Sequence, residues 1–526
     1  MKILLINPSC VMESGRDLYS AHLLGQLYTM QPGARMTLGI PLALPTLAAH
    51  TPPEHDVNIL DEEIENIDFA EPADIVGITA MSFKARRAYE IAREFRSRGV
   101  KVVMGGIHAS MAPDEAAQYV DSVVVGEAEE IWPTLIADAA DGNLRARYVA
   151  ESPPDLKQAG IPRYDLVANS HYLYSYLQTT RGCPFDCTFC TVTKMSGRKV
   201  RKKTPDQVIA ELDKLLGLSR GRQFTVNDRT SGARKRFVGM IAFIDDNFAI
   251  DRRHALAVCR AIKRYQEEHG IVFSWYTQVN YEVGFDDELL TALGESGCQH
   301  LFVGFESLDP ATLHAMNKDI NSPEKYGEAI RNIHRRGIRV VYSTIVGNDH
   351  DGEQTAQALT AFVEQHGVFH VLLNILTPYL GTDLYNRMNA EGRILTTDSQ
   401  RYNIRNVVFR PRNMAPENLF AMYRALCQDL YQYDKVIRRG QSLLNHKGPF
   451  TLPLVERLAV WVGFSYTAIV LAGRGQLRSE VAWKLLRAAP ARILFDGNLS
   501  SLELLVASAD YDDFARSESR RTDTIT

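Results

Sequence analysis

From residue 1 to about 145, short apolar runs alternate with segments whose apolar positions recur at helical spacing. Lys2 to Asn7, Asp56 to Leu60, Asp74 to Thr79, Lys101 to Met104 and Asp121 to Val125 are strand-like, and Ala85 to Arg98 is helical. This alternation predicts βαβ units on a parallel sheet. Residues 146–172, with Pro153, Pro154 and Pro162, break the pattern and read as a linker. Alternation then resumes with strands Tyr174 to Thr180, Phe237 to Asp245, Ile271 to Gln278, His300 to Gly304, Ile338 to Gly347 and His370 to Leu376. Helices are expected between them at Thr204 to Leu216, Arg252 to Glu268, Asp286 to Glu295, Pro323 to Arg335 and Glu353 to His366. Thr204, Pro205 and Gly217 are the cap, first position and stop of the first of these. Six strands predict a partial barrel, because the polar, turn-rich text after Gly381 holds no further units.

Beyond residue 392 the pattern turns helical, at Ala415 to Tyr433 and Leu452 to Leu486, with Tyr423, Tyr431, Tyr433, Trp461, Phe464 and Tyr466 expected mainly in the core. Ala507 to Thr526 is expected to fray. The predicted fold class is α/β: a Rossmann-like parallel sheet domain (1–145), a linker (146–172), a (β/α)6 partial barrel (173–391) and a C-terminal helical cap and tail (392–526).

Composition adds limits. A chain of 526 residues, 45% hydrophobic and 23% charged, is an enzyme-like globular protein of about three units. A net charge of -4 leaves no footprint for nucleic acid. The seven cysteines form no disulfide framework, and the N-terminus has no signal-peptide cleavage site, so a reducing cytoplasm is expected. The longest uncharged run, Leu458 to Gly473, falls short of the roughly 20 residues that span a bilayer. It reads as a buried helix, with docking on a membrane surface as the alternative.

Chemistry is expected at the carboxyl ends of parallel strands. After the first barrel strand come Cys183, Cys187 and Cys190, spaced C-x3-C-x2-C. Three thiolates leave one iron of a [4Fe-4S] cube without a protein ligand. A structural zinc would want a fourth ligand, with His171 and Asp186 nearest. The following strands end in Asp245-Asp246-Asn247, Gln278 with Asn280, Glu306-Ser307, Gly347-Asn348-Asp349 and Thr377 to Thr382. In the first unit the ends carry Asn7-Pro8-Ser9, Thr79 to Ser82, Gly105 to His108 and Gly126 to Glu129, small enough for a large flat ligand to approach the backbone.

The cysteine spacing and its setting resemble the radical S-adenosylmethionine (SAM) superfamily. The resemblance implies that the open iron chelates SAM and that one electron from the cluster cleaves it to a 5'-deoxyadenosyl radical. It also implies SAM contacts at Phe189, Asp245, Asp246, Glu306 and Ser307, and the basic run Lys194 to Lys203 is either a solvated loop or lies near the SAM carboxylate. Gly105-Gly106-Ile107-His108, Pro113-Asp114-Glu115 and Val125-Gly126-Glu127-Ala128-Glu129 resemble the cobalamin-binding domain that precedes the core in one class of these enzymes. That implies cobalamin at Thr79, Ser82, Gly105, Gly106, His108, Gly126 and Glu127, without the Asp-x-His-x-x-Gly histidine, which is absent. Leu380 and Asn348 depart from the class pattern toward the substrate end.

The implied activity is cobalamin-dependent C-methylation of an unactivated carbon. An oxidative cyclase or other C–H functionalisation of a tetrapyrrole, lipid or peptide is the same-class alternative, and a cobalamin or cluster sensor the non-catalytic one. Methylthiotransferases need three more cysteines in the N-terminal unit, which has only Cys10. The expected partners are a small-molecule or lipid-like substrate, an electron donor such as flavodoxin or ferredoxin, and a membrane surface.

Overall fold

The computed structural model describes residues 1–10, 35, 37–167, 171–218, 224–228, 232–440, 450–474, 477–490, 507–508, 511, 513–519 and 521. In chain order the strands are β1 (Lys2–Asn7), β2 (Thr37–Gly39), β3 (Asp56–Asp61), β4 (Ile75–Thr79), β5 (Lys101–Gly105), β6 (Ser122–Val125) and β7 (Arg147–Val149). There follow β8 (Tyr172–Leu177), β9 (Thr180–Arg181), β10 (Arg201–Lys202), β11 (Phe224–Asp228), β12 (Arg234–Phe243), β13 (Ile271–Val279), β14 (Cys298–Glu306), β15 (Arg339–Val346), β16 (His370–Ile375) and β17 (Phe450–Thr451).

The first sheet is wholly parallel, in the order β3-β1-β4-β5-β6-β7. Its strands read as near-continuous apolar runs because helices cover the faces of such sheets. Helix α1 (Ala85–Ser97) lays Ala88, Tyr89, Ile91, Ala92 and Phe95 on one of them. A short helix, α2 (Gly106–Met111), leaves β5. The segment expected as a linker supplies β7, the edge strand of this sheet.

The second sheet is the six-stranded partial barrel. Strands β8, β12, β13, β14, β15 and β16 pair in parallel, each with the next. Helices α3 (Pro205–Leu218), α4 (Arg252–His269), α5 (Asp287–Glu295), α6 (Pro323–Arg335) and α7 (Glu353–Gln365) cross between strands. Their starts are set by local chemistry. Thr204 and Gln207 form a reciprocal capping box, and Asp251 and Asp286 accept from the amides of His254 and Leu289. Helix α3 runs through the expected stop at Gly217 to Leu218.

Further pairings escape the periodicity. β2 leaves the first unit to extend the barrel sheet beyond β8, so the two sheets share chain. β11 and β12 make an antiparallel hairpin, and β17 joins it from the C-terminal region. Helices α8 (Pro416–Leu430), α9 (Leu454–Gly473) and α10 (Ser479–Pro490) follow. The α9–α10 pair packs on Val226 of β11 and Val272 of β13, at the amino end of the barrel strands. It therefore does not cover the mouth, as a cap would. Tyr423, Tyr431, Tyr433 and Phe464 are buried as expected, whereas Tyr466 is exposed. Much of 507–526 lies outside the described residues. The described part is packed, not frayed: Tyr511 stacks on Tyr431 and Glu518 is buried beside Arg521.

Candidate active site

Cys183, Cys187 and Cys190 lie on the loop that follows β9, half-buried and reduced. Four elements pin the loop. Gly182 donates to Asp246 Oδ2 at 2.8 Å, and Cys183 donates to the Gly197 carbonyl at 3.3 Å. Thr188 donates to the Met316 carbonyl at 3.0 Å and accepts from the Leu384 amide at 2.9 Å. Asn317 donates to the Asp186 carbonyl at 2.8 Å.

Burial pushes all three thiols up, Cys190 to about 12, and Cys183 and Cys187 raise Cys190 further by their proximity. Three half-buried thiols on one loop, with Lys318 beside Cys187 and Cys190, are the ligands that would hold three irons of a [4Fe-4S] cluster.

Asp245 and Asp246, expected together at SAM, divide their work. Asp245 is fully buried and accepts from Thr179 N and Oγ1 at 2.6 Å and from Thr180 N at 2.7 Å. Both its oxygens are committed to the strand end that carries the cysteines. Burial still lifts its pKa to about 6. Asp246 is partly exposed beside Gly182 and is the member of the pair that a ligand can reach.

Glu306 sits at an irregularity in the β14–β15 register with φ +64°, a strained conformation for a residue with a side chain. It is paired with Lys318, which the sequence reading missed. A Cβ on Gly304 would lie 2.5 Å from the Glu306 carboxylate and 2.8 Å from the Lys318 ammonium, so the glycine leaves room for the pair. Burial works against the Lys318 ammonium, but Glu306 and the thiols of Cys187 and Cys190 hold its pKa above that of an ordinary lysine. Only its nearness to those thiols marks it, and spacing along the chain does not show that. Ser307 is buried and accepts from the Asp309 amide at 3.0 Å, closing its own turn. Phe189 is half-buried against the core.

The first sheet's carboxyl edge is less open than its sequence suggests. Over β1 and β3, Lys84 bonds Asn7 and Glu63 at 3.2 and 2.7 Å, and Asn7 bonds Asp61. This leaves the loops after β4, β5 and β6 for a flat ligand. Gly106 has φ +87°, and a Cβ there would meet Thr79 Oγ1 at 2.6 Å, so this glycine serves loop packing and does not hold space for a corrin. A Cβ on Gly126 would meet that of Ala150 at 3.0 Å. Gly105 meets only ordinary contact, and Ser82 is buried.

Two expected cofactor residues are turned elsewhere. His108 is fully buried, its Nε2 2.7 Å from Tyr89 OH and 3.6 Å from Glu115, so it braces α1 and α2. Glu127 is bound by Arg181 and Arg201. Arg181 also reaches Glu129, and Arg201 donates to the carbonyls of Pro154 and Ser196 at 2.8 and 3.0 Å. Burial opposes the Arg181 charge, and the two carboxylates outweigh it. The basic run is thus a set of struts: Lys202 on Asp251 and Lys203 on Glu211 complete it.

Across the same seam, a Cβ on Gly381, in the loop after β16, would lie 2.8 Å from Met111 at the end of α2. Both contacts bring the carboxyl edge of the first sheet onto the barrel mouth. The loops after β4 to β6, with Gly105 open to ordinary contact, are the ones that would hold a flat macrocycle at this edge, and His108, committed to Tyr89, would not be among its ligands.

The radical SAM superfamily matches residues 177–363, a B12 binding domain residues 37–136, and a domain of unknown function, DUF4070, residues 382–502. The bacteriochlorophyllide d C-8(2)-methyltransferase of Chlorobaculum tepidum is 30% identical over 409 residues, 76% of this chain and 87% of that one. The hopanoid C-2 methylase of Rhodopseudomonas palustris is 28% identical over 85% of this chain and 80% of its own. The solved structure of the radical SAM methyltransferase TsrM from Kitasatospora setae shares the fold, with a TM-score of 0.57 at 16% identity over 81% of this chain and 88% of that one. A long relative at this identity, and matches to both cofactor domains on the two sheets that meet at the cysteine loop, place the chain among the cobalamin-dependent radical SAM methyltransferases, with [4Fe-4S], SAM and cobalamin as cofactors.

Proposed function

We propose that this enzyme methylates an unactivated carbon of a large apolar small molecule, of the ring-rich kind named for its bacteriochlorophyllide and hopanoid relatives. The observation that carries the reading is the seam itself. Arg181, one residue before Gly182 of the cysteine loop, is bound to Glu127 and Glu129 beyond β6. The edges of the two sheets are thereby held against each other at one seam, the proximity that a group transfer between cofactors held on them needs.

When bound, the cluster supplies the electron that cleaves SAM, and cobalamin carries the methyl group. The chain's own residues do the rest. Cys183, Cys187 and Cys190 hold the cluster, and Asp245 fixes the strand from which their loop springs. Asp246 and the Glu306–Lys318 pair offer opposite charges to the amino and carboxylate groups of SAM. The loops at Thr79, Gly105 and Gly126 hold the corrin.

Residues 1–145 form the cobalamin-binding unit in this proposal, extended to Val149 so as to include β7, with residues 173–391 as the radical core and 392–526 as the helical region. A flavodoxin or ferredoxin in the cytoplasm supplies electrons, and the C-terminal hairpin meets a membrane surface.

Anaerobically reconstituted protein given hydroxocobalamin, SAM and dithionite should release 5'-deoxyadenosine and S-adenosylhomocysteine. Cys183→Ala, Cys187→Ala and Cys190→Ala should abolish the 5'-deoxyadenosine, while Cys259→Ala, Cys298→Ala and Cys427→Ala should not. Undiminished SAM cleavage in Cys187→Ala would end the reading, as would wild-type protein that retains no corrin absorbance after desalting.

A further inference from the structure

Helix α9 presents a face that the rest of the described structure does not cover. Its inner side, Val460, Phe464, Ala468 and Leu471, is buried against α10 and the β11 hairpin. Its outer side carries Leu454, Val455, Leu458, Val462, Tyr466 and Ile469, from 48 to 78% exposed. These positions fall on one arc at 3.6 residues per turn. The other exposed positions of the helix are Ala459 and Gly473, so every outward position is uncharged over 20 residues, about 30 Å. A surface helix of a water-soluble protein ordinarily turns charge outward, and an apolar strip of this length marks a contact.

The occupant follows from charge and chemistry. Residues 450–490 hold five basic and two acidic side chains, in a chain whose net charge is -4. Lys484 pairs with Asp434 and Glu480, and Arg478 with Glu480, so the charge the hairpin turns outward is chiefly that of Arg474 and Arg487. Arg474 lies exposed at the end of the apolar helix, and Arg487 lies exposed one turn beyond Trp483 on α10. Trp483 is 63% exposed and Tyr466 61%, and both are amphipathic rings of the kind that settle at a membrane interface. A second copy of this chain would set the same basic excess against itself. An anionic bilayer instead takes apolar side chains between its lipids and arginines against its phosphates.

Leu454–Gly473 is long and apolar enough to cross a membrane. Its inner face, however, belongs to a protein core, so it lies along a bilayer and does not pass through it. We propose that the α9–α10 hairpin docks the enzyme, by the outer face of α9, on an anionic phospholipid surface. Because the hairpin packs at the amino end of the barrel strands, the cysteine loop at their carboxyl end is not part of the docking surface. The proposal deepens the membrane contact included above and rests on this surface alone, not on the methylation chemistry.

The test is flotation of the full-length protein with vesicles of phosphatidylcholine and phosphatidylglycerol, against vesicles of phosphatidylcholine alone. Wild type should float with the mixed vesicles, and the emission of Trp483 should shift to the blue. Val462→Asp with Ile469→Asp should cut the bound fraction by about tenfold or more, since both side chains already face water and only their insertion is lost. Circular dichroism and cluster content should be unchanged in that variant, and Trp483→Phe should remove the spectral shift while still floating. Wild-type protein left behind by both kinds of vesicle would overturn the proposal. So would a wild-type dimer in sedimentation that the Val462→Asp/Ile469→Asp variant dissolves, which would make the occupant a second copy. Loss of 5'-deoxyadenosine formation with flotation intact would count against the catalytic reading alone.

Discussion

Arg181 Nη1 lies 2.7 Å from a carboxylate oxygen of Glu127, across the seam between the two sheets, with the two side chains 17 and 8% exposed. One partner follows a strand of the first sheet and the other leads into the cysteine loop. In Arg181→Ala Glu127 keeps Arg201, but Glu129, the other carboxylate that Arg181 holds, loses its arginine. Stranding a buried charge in this way costs about 3 to 5 kcal/mol. Arg181→Ala should therefore lower the midpoint of thermal unfolding by several degrees and loosen the cysteine loop, seen as incomplete cluster uptake. Arg198→Ala, which removes an exposed pair with Asp186, should cost less than about 1 kcal/mol. Equal effects from the two would show that the seam pair is ornamental.

Lys318 is set between Glu306, with which it pairs, and the thiols of Cys187 and Cys190, which help to hold its pKa up. Its positive charge favours the more negative, reduced form of a cluster held there. Lys318→Met should leave cluster content intact and make the midpoint potential more negative, as an EPR-monitored redox titration would record. Glu306→Gln should shift it the opposite way and weaken SAM binding by about tenfold, the loss expected from one charge-assisted contact. An unmoved potential in both variants would sever the pair from the cluster.

The Asp245 carboxyl is held up at about 6 by burial, above its ordinary 3.8, although three hydrogen bonds favour its charged form. The folded protein thus keeps a proton that the unfolded chain has released between about pH 4 and pH 6. Stability carried by that proton is fully present below the unfolded pKa and is lost as pH rises through 6, by up to about 3 kcal/mol. Denaturant unfolding of the apoprotein at several pH values should show this fall, and Asp245→Asn should flatten it whatever its absolute stability. A parallel pH profile in the variant would place the titration elsewhere.

Gly106→Ala should destabilise the first sheet, by about 1 kcal/mol or more, because its φ is positive and its Cβ would meet Thr79. Gly105→Ala should be nearly neutral, since its backbone is extended and Val124 stands at 3.7 Å. Chemical denaturation of both variants decides it, and an equally mild Gly106→Ala would mean that the loop can open there.

Periodicity and the cysteine spacing determined a good deal unaided. The parallel strands, the six-stranded barrel and the cysteine loop are local in origin, written in runs of apolar residues and three cysteines within eight positions, and the kinship with cobalamin-dependent radical SAM enzymes came by resemblance of that loop and of the segments Gly105 to His108 and Val125 to Glu129. The Thr204 cap was legible for the same reason: partner and cap lie within one turn. What only the tertiary structure decided are relations between residues far apart in the chain. Glu127 and His108 both stand at ends of first-sheet strands, yet one is drawn across the seam by Arg181 and Arg201 and the other inward to Tyr89. Asp245 and Asp246 are neighbours in sequence, but successive residues leaving a strand point to opposite sides, so one became a buried strut and the other faces the loop. Lys318 joined the site, β2 crossed to the other sheet, and α9 kept one bare face because long-range packing, and not local pattern, chooses what each side chain finally meets.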